Sequence, residues 1–123
     1  MSRKILIITS IGHFLCHAIT LIFPAILLLI RDEFNITLVE LGILGTIQFL
    51  FFGIASYPAG WLSDRFGSRF VLNLYFIGLI CSIFIIINSN SLWFLSSGIG
   101  LLGLSAGLYH PAGLKMISTT NLV

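Results

Sequence analysis

Charge is what this sequence has least of. Six of its 123 residues are Lys or Arg and four are Asp or Glu, 8% in all, while 58% are hydrophobic. Soluble domains carry about 25% charged residues, so a water-soluble monomer is excluded. The mean hydropathy of +1.11 agrees. A net charge of +2 is far too small to dominate binding to a phosphate backbone, which excludes nucleic acid as the partner. Cysteine is scarce as well: Cys16 and Cys81 both lie inside apolar runs, where a thiol behaves as a small hydrophobe and makes no disulfide framework. No acid precedes Asp32. No Pro-rich linker, low-complexity tract or internal repeat divides the chain, whose length suits one unit.

The few charges mark out the spans. Between Lys4 and Arg31 nothing is charged, and Ile5 to Ile30 is long enough for a tilted helix to cross a hydrocarbon core, which takes about 20 residues. It is too long for the apolar stretch of a cleaved signal peptide, and no small-residue cleavage site follows it. Arg31, Asp32, Glu33 and Phe34 make a polar link. Thr37 and Glu40 then have capping-box spacing, with Ile36 and Leu41 as the accompanying apolar staple, so a second span runs from Leu38 to about Leu62. A second link covers Ser63 to Arg69. The uncharged run from Phe70 to Leu114 exceeds one crossing, and Asn88, Ser89, Asn90 and Ser91 are turn formers that divide it. The third span is Phe70 to about Ile87 and the fourth Leu92 to about Ile117. The expected fold is an all-α membrane protein with four transmembrane helices, its principal partner the lipid bilayer.

Basic residues then set the orientation. Arg3, Lys4, Arg65, Arg69 and Lys115 fall on one side and Arg31 alone on the other, so both chain ends are expected in the cytoplasm. The sequon Asn35-Ile36-Thr37 would face outward, but it lies inside a helix cap against the membrane and is not expected to be glycosylated.

Polar groups inside a bilayer are costly and mark functional positions. His13 and His17 stand one turn apart on one face of the first span, and His110 lies in the fourth beside Pro111, whose missing N–H frees a carbonyl. These three histidines are the candidate substrate or proton site, since imidazole changes charge near neutral pH; the alternative is a neutral hydrogen-bonded packing pair. Pro24 and Pro58 would weaken the first two spans locally. Gly103 and Gly107 have the GxxxG spacing of close helix packing. The same residues match the G-x-S-x-G elbow around Ser105, but the elbow needs a strand-to-helix turn and this stretch reads as helix. No HExxH and no paired cysteines are present, so no metal site, cofactor or catalytic set is expected, and the chain reads as a non-enzyme.

The most specific pattern is Gly60-Trp61-Leu62-Ser63-Asp64-Arg65-Phe66-Gly67-Ser68-Arg69-Phe70-Val71-Leu72, between two spans on the cytoplasmic side. It resembles the G-x-L-a-D-r-x-G-r-r-x-x-l signature that joins the second and third helices of the major facilitator superfamily. Gly60, Leu62, Asp64, Arg65, Gly67, Arg69 and Leu72 match, and Ser68 departs from the first of the paired basics. The resemblance implies a cytoplasmic gate in which Asp64 is the anion and Arg65 and Arg69 its basic neighbours. It also implies a secondary transporter of a small organic molecule working by alternating access, in the plasma (inner) membrane, with efflux driven by protons.

Gly12-His13-Phe14, Phe23-Pro24-Ala25, Asp32-Glu33-Phe34 and Tyr109-His110-Pro111 resemble the fosmidomycin-resistance efflux branch of that family. That branch carries an acid near the position of His17 and an Asn near Cys16; their absence leaves His13, His17 and His110 as substitutes. Family members usually have two six-helix halves, so the chain is expected to be the first four helices of one half, an amino-terminal fragment whose partners include the missing carboxyl-terminal helices and which does not transport by itself. The runner-up readings are a complete four-helix small multidrug exporter acting as a dimer, whose first-span glutamate is absent here, and a non-transporting membrane scaffold.

Overall fold

The computed structural model describes residues 3–120, the last of them by its backbone alone. Five helices follow one another: α1 (Arg3–Ala25), α2 (Leu27–Phe34), α3 (Leu38–Phe66), α4 (Ser68–Ile87) and α5 (Leu92–Thr120). Four of them, all but α2, are long and apolar enough to cross a membrane. The fold is all-α.

The expected first span does not run unbroken to Ile30. Helix α1 stops at Ala25 directly after Pro24, and α2 resumes at Leu27 as a short separate helix. Proline has no N–H and its ring collides with the preceding turn, so the Thr20 carbonyl loses its helical donor. The Gln48 side chain of α3, wholly buried, supplies the replacement: its Nε2 donates to Thr20 O at 3.0 Å. Pro111 leaves α5 continuous and orphans the Gly107 carbonyl, which has the Ser56 hydroxyl of α3 at 3.4 Å.

The links are tighter than the sequence suggests. Thr37 accepts the Glu40 N–H while the Glu40 carboxylate accepts the Thr37 N–H at 2.7 Å, a complete capping box at the start of α3. Between α3 and α4 only Gly67 is non-helical, so the expected polar link from Ser63 to Arg69 is mostly helix. The polar Asn-Ser cluster does form a turn: Asn88 and Ser89 donate back to the Phe84 and Ile86 carbonyls, and the Ser91 hydroxyl accepts the Phe94 N–H to start α5.

Helix α5 lies at the centre, packed on α1, α3 and α4. Of its most apolar stretch 56% is buried, against 22% in each other span. Its glycines allow this. A Cβ on Gly103 would strike the Gln48 backbone carbonyl, and one on Gly107 the Phe52 carbonyl, so α5 rides directly on the α3 main chain. On the other side, Gly78 of α4 makes room for the Ser105 side chain. Ser82 donates to Gly98 O at 2.8 Å and the Tyr109 hydroxyl to Thr9 O, tying α5 to α4 and α1. Outside, Phe14, Leu28, Leu29, Ile80, Phe84 and Ile87 are exposed, as lipid-facing side chains are.

Candidate functional site

Two groups of polar residues stand out, one at an end of the bundle and one within it. The first belongs to the signature sequence. Gly67 has φ 86° and ψ 152°, a region open to glycine and closed to side chains, so a glycine is needed where α3 turns directly into α4. That sharp corner sets Asp64, Arg65 and Arg69 at one end of the molecule. The carboxyl-terminal end of α5 arrives there too: Lys115 donates to Asp64 Oδ1 and to the Ser63 carbonyl, each at 2.7 Å. Lys115 thus neutralises the carboxylate and the negative end of α3 together. The same end carries Ile5 and Ile8 of α1, which line a cavity with Arg69 and Lys115.

The resemblance makes Arg65 and Arg69 the basic neighbours of Asp64; among the described residues the ion pair of Asp64 is with Lys115. Consecutive residues on a helix point in different directions. Arg65 accordingly turns back over Trp61, one turn earlier, its guanidinium 5.3 Å from the ring centroid and 5.6 Å from that of Phe66. Leu62 packs partly buried against the core. A Cβ on Gly60 would meet open space, so nothing within these helices calls for glycine at that position. Lys115 is the residue that sequence reasoning uses only for orientation; as the sole basic residue of the fourth span it was the available signal.

The second group is the histidines. His13 and His17 of α1 stack at 4.7 Å between centroids, with Nε2 atoms 2.8 Å apart. His110 of α5 joins them, its ring 5.2 Å from His13 and 5.3 Å from His17. Ring-nitrogen atoms of all three fall within 4.8 Å of one another. Phe52 of α3 sits edge-on to His110, at 5.5 Å between ring centroids. Tyr109 flanks His13, but its hydroxyl is committed to Thr9 O. His13 and His17 are exposed and His110 partly so, leaving the cluster open on one side of the bundle.

Two further residues carry this arrangement. Gly12 lets the Tyr109 ring approach, since a Cβ there would fall 2.6 Å from the Tyr109 hydroxyl oxygen. Gln48 fixes α1 at the Pro24 break. Its signal was a lone amide in an apolar run. Ser105, by contrast, is buried within α5 and donates to its own Leu101 carbonyl at 2.7 Å, a helical packing serine without an exposed elbow.

Comparison with known proteins agrees with the signature. The sequence matches the Major Facilitator Superfamily over residues 8–120. It is also similar to a protein named an uncharacterized transporter from Buchnera aphidicola subsp. Baizongia pistaciae (strain Bp), with 39% identity over 71 residues. That alignment covers 55% of this chain and 16% of the relative, so the chain spans a small part of the relative it matches. No solved structure matches. With four helices long and apolar enough to cross a bilayer and a family match along nearly all of its length, the chain is a multi-pass membrane protein belonging to the major facilitator superfamily, a family of transporters.

Proposed function

We propose that this chain forms part of a secondary transporter that exports a small organic molecule across the plasma membrane in exchange for protons, acting with further helices of the same transporter. The observation that carries the reading is the contact of Lys115 with Asp64 and the Ser63 carbonyl. It ties the signature corner to the central helix, so the cytoplasmic end of the bundle closes as one latch. Opening toward the cytoplasm then means separating charged groups at the membrane edge, which gives the two access states distinct electrostatic energies. In this reading Asp64 is the gate anion. Lys115 is its partner within the chain, and Arg65 and Arg69 face the remainder of the transporter. His13, His17 and His110 line the solute path, where imidazole side chains take the role of the branch's missing acid. The branch resemblance makes fosmidomycin the first substrate to try.

The test is Asp64→Asn in the complete transporter. Flux is expected to fall at least tenfold with membrane insertion unchanged; undiminished flux overturns the gate.

A further inference from the structure

Three imidazoles converge from two helices at a place where the sequence carries no metal signature. His13 and His17 are one turn apart on α1, so the helix itself fixes their spacing, and His110 closes the set from α5. Their ring nitrogens lie within 4.8 Å of one another, with the His13 and His17 Nε2 atoms at 2.8 Å. A tetrahedral ion with metal–nitrogen bonds of about 2.0–2.1 Å holds its ligand nitrogens roughly 3.3–3.4 Å apart. The α1 pair therefore needs to open by about half an ångström, and the wider separations, up to 4.8 Å, to close by up to about 1.5 Å, through side-chain rotation.

We propose that His13, His17 and His110 form a binding site for a divalent transition-metal ion, with a fourth coordination position open toward the exposed side of the cluster. Three neutral nitrogen donors select zinc, cobalt, nickel or copper over magnesium and calcium, which take oxygen ligands. Tyr109 is excluded as a fourth ligand because its hydroxyl is held by Thr9 O. In the hydrogen-bonded pair one Nε2 carries a proton between the two rings. When the metal enters, that proton leaves Nε2 and the ring takes one at Nδ1, so both lone pairs face the ion and the imidazoles stay neutral. Among the described residues no carboxylate joins the cluster, so the ion's double charge is balanced by an exchangeable anion at the open position.

Cobalt is the probe, because tetrahedral Co²⁺ absorbs intensely in the visible and octahedral aqueous Co²⁺ does not. The 123-residue chain, without an affinity tag rich in histidine, is placed in lipid nanodiscs and titrated. One cobalt per chain with the tetrahedral band is expected, displaced by equimolar Zn²⁺ and unaffected by a hundredfold excess of Mg²⁺. His17→Gln and His110→Gln, on different helices, should each weaken binding at least tenfold at unchanged helicity by circular dichroism. Absence of the band in the unmodified chain overturns the site, as does an undiminished band in His110→Gln. The inference rests on the reading that the histidine face lines the solute path, and the readouts separate the two. Cobalt binding without flux in the complete transporter overturns the transport reading alone; flux without the cobalt band overturns the metal site alone.

Discussion

Gly103 and Gly107 face backbone, not side chains, and that decides what a methyl group costs there. The atoms a Cβ would meet are the Gln48 and Phe52 carbonyl oxygens of α3, which cannot rotate away. Gly103→Ala or Gly107→Ala should therefore destabilise the bundle by about 1–3 kcal/mol, the usual range for overpacking. Gly60→Ala, into open space, should leave stability unchanged or slightly raised. Thermal unfolding of the three variants in one detergent checks the contrast; equal losses would show that the close approach is not there. Gly67→Ala tests a different cause, backbone strain at φ 86°, and should cost about 1–3 kcal/mol by the same measurement. The GxxxG spacing was legible in the sequence because small residues at that interval have few other uses in a membrane helix. That Gly60 has no such use within these four helices could be learned only from the packing.

At the scale of helices, the molecule inverts a habit of soluble proteins. Helix α5 has the lowest mean hydropathy of the four spans, 1.4, and is the most buried, whereas α4 at 2.6 is largely exposed. Lipid solvates leucine as well as a neighbouring helix does, so small and hydroxylated residues go to the centre. Breaks in helices follow a related rule, that every orphaned carbonyl finds a donor. Gln48 and Pro24 form such a pair, which makes their energies coupled. Gln48→Met should cost about 1–3 kcal/mol in the native chain, the penalty for an unsatisfied buried acceptor. The loss should shrink in a Pro24→Ala background, where Thr20 O regains a backbone N–H. A double-mutant cycle by chemical denaturation reads the difference, and strict additivity would refute the pairing. The sequence showed that Pro24 weakens the first span. It did not show that the helix ends there, because that depends on which donor a helix distant in sequence presents.

For the whole molecule, Arg69 and Lys115 line one cavity at an end of the bundle where Asp64 pairs with Lys115, and Arg31 lies in the last turn of α2. The spans were legible because so few ionised residues leave little freedom in placing the membrane. Pairing within the charged end was not legible, since it depends on how far α5 reaches along α3. In the reading proposed above this end is cytoplasmic. Cysteines at positions 65 and 69, in a Cys81→Ser background, should react with an impermeant maleimide only in inside-out vesicles. Labelling in right-side-out vesicles would reverse the orientation. The latch itself can be tested by exchange: Lys115→Asp should impair the complete transporter, and adding Asp64→Lys should restore part of the flux. The two halves of this latch lie 51 residues apart in the chain. At about 5–20 residues per second of synthesis, Asp64 emerges roughly 3–10 s before Lys115. The corner between α3 and α4 is therefore synthesised before the lysine that pairs with its carboxylate, and the contact between the two waits on the making of the central helix.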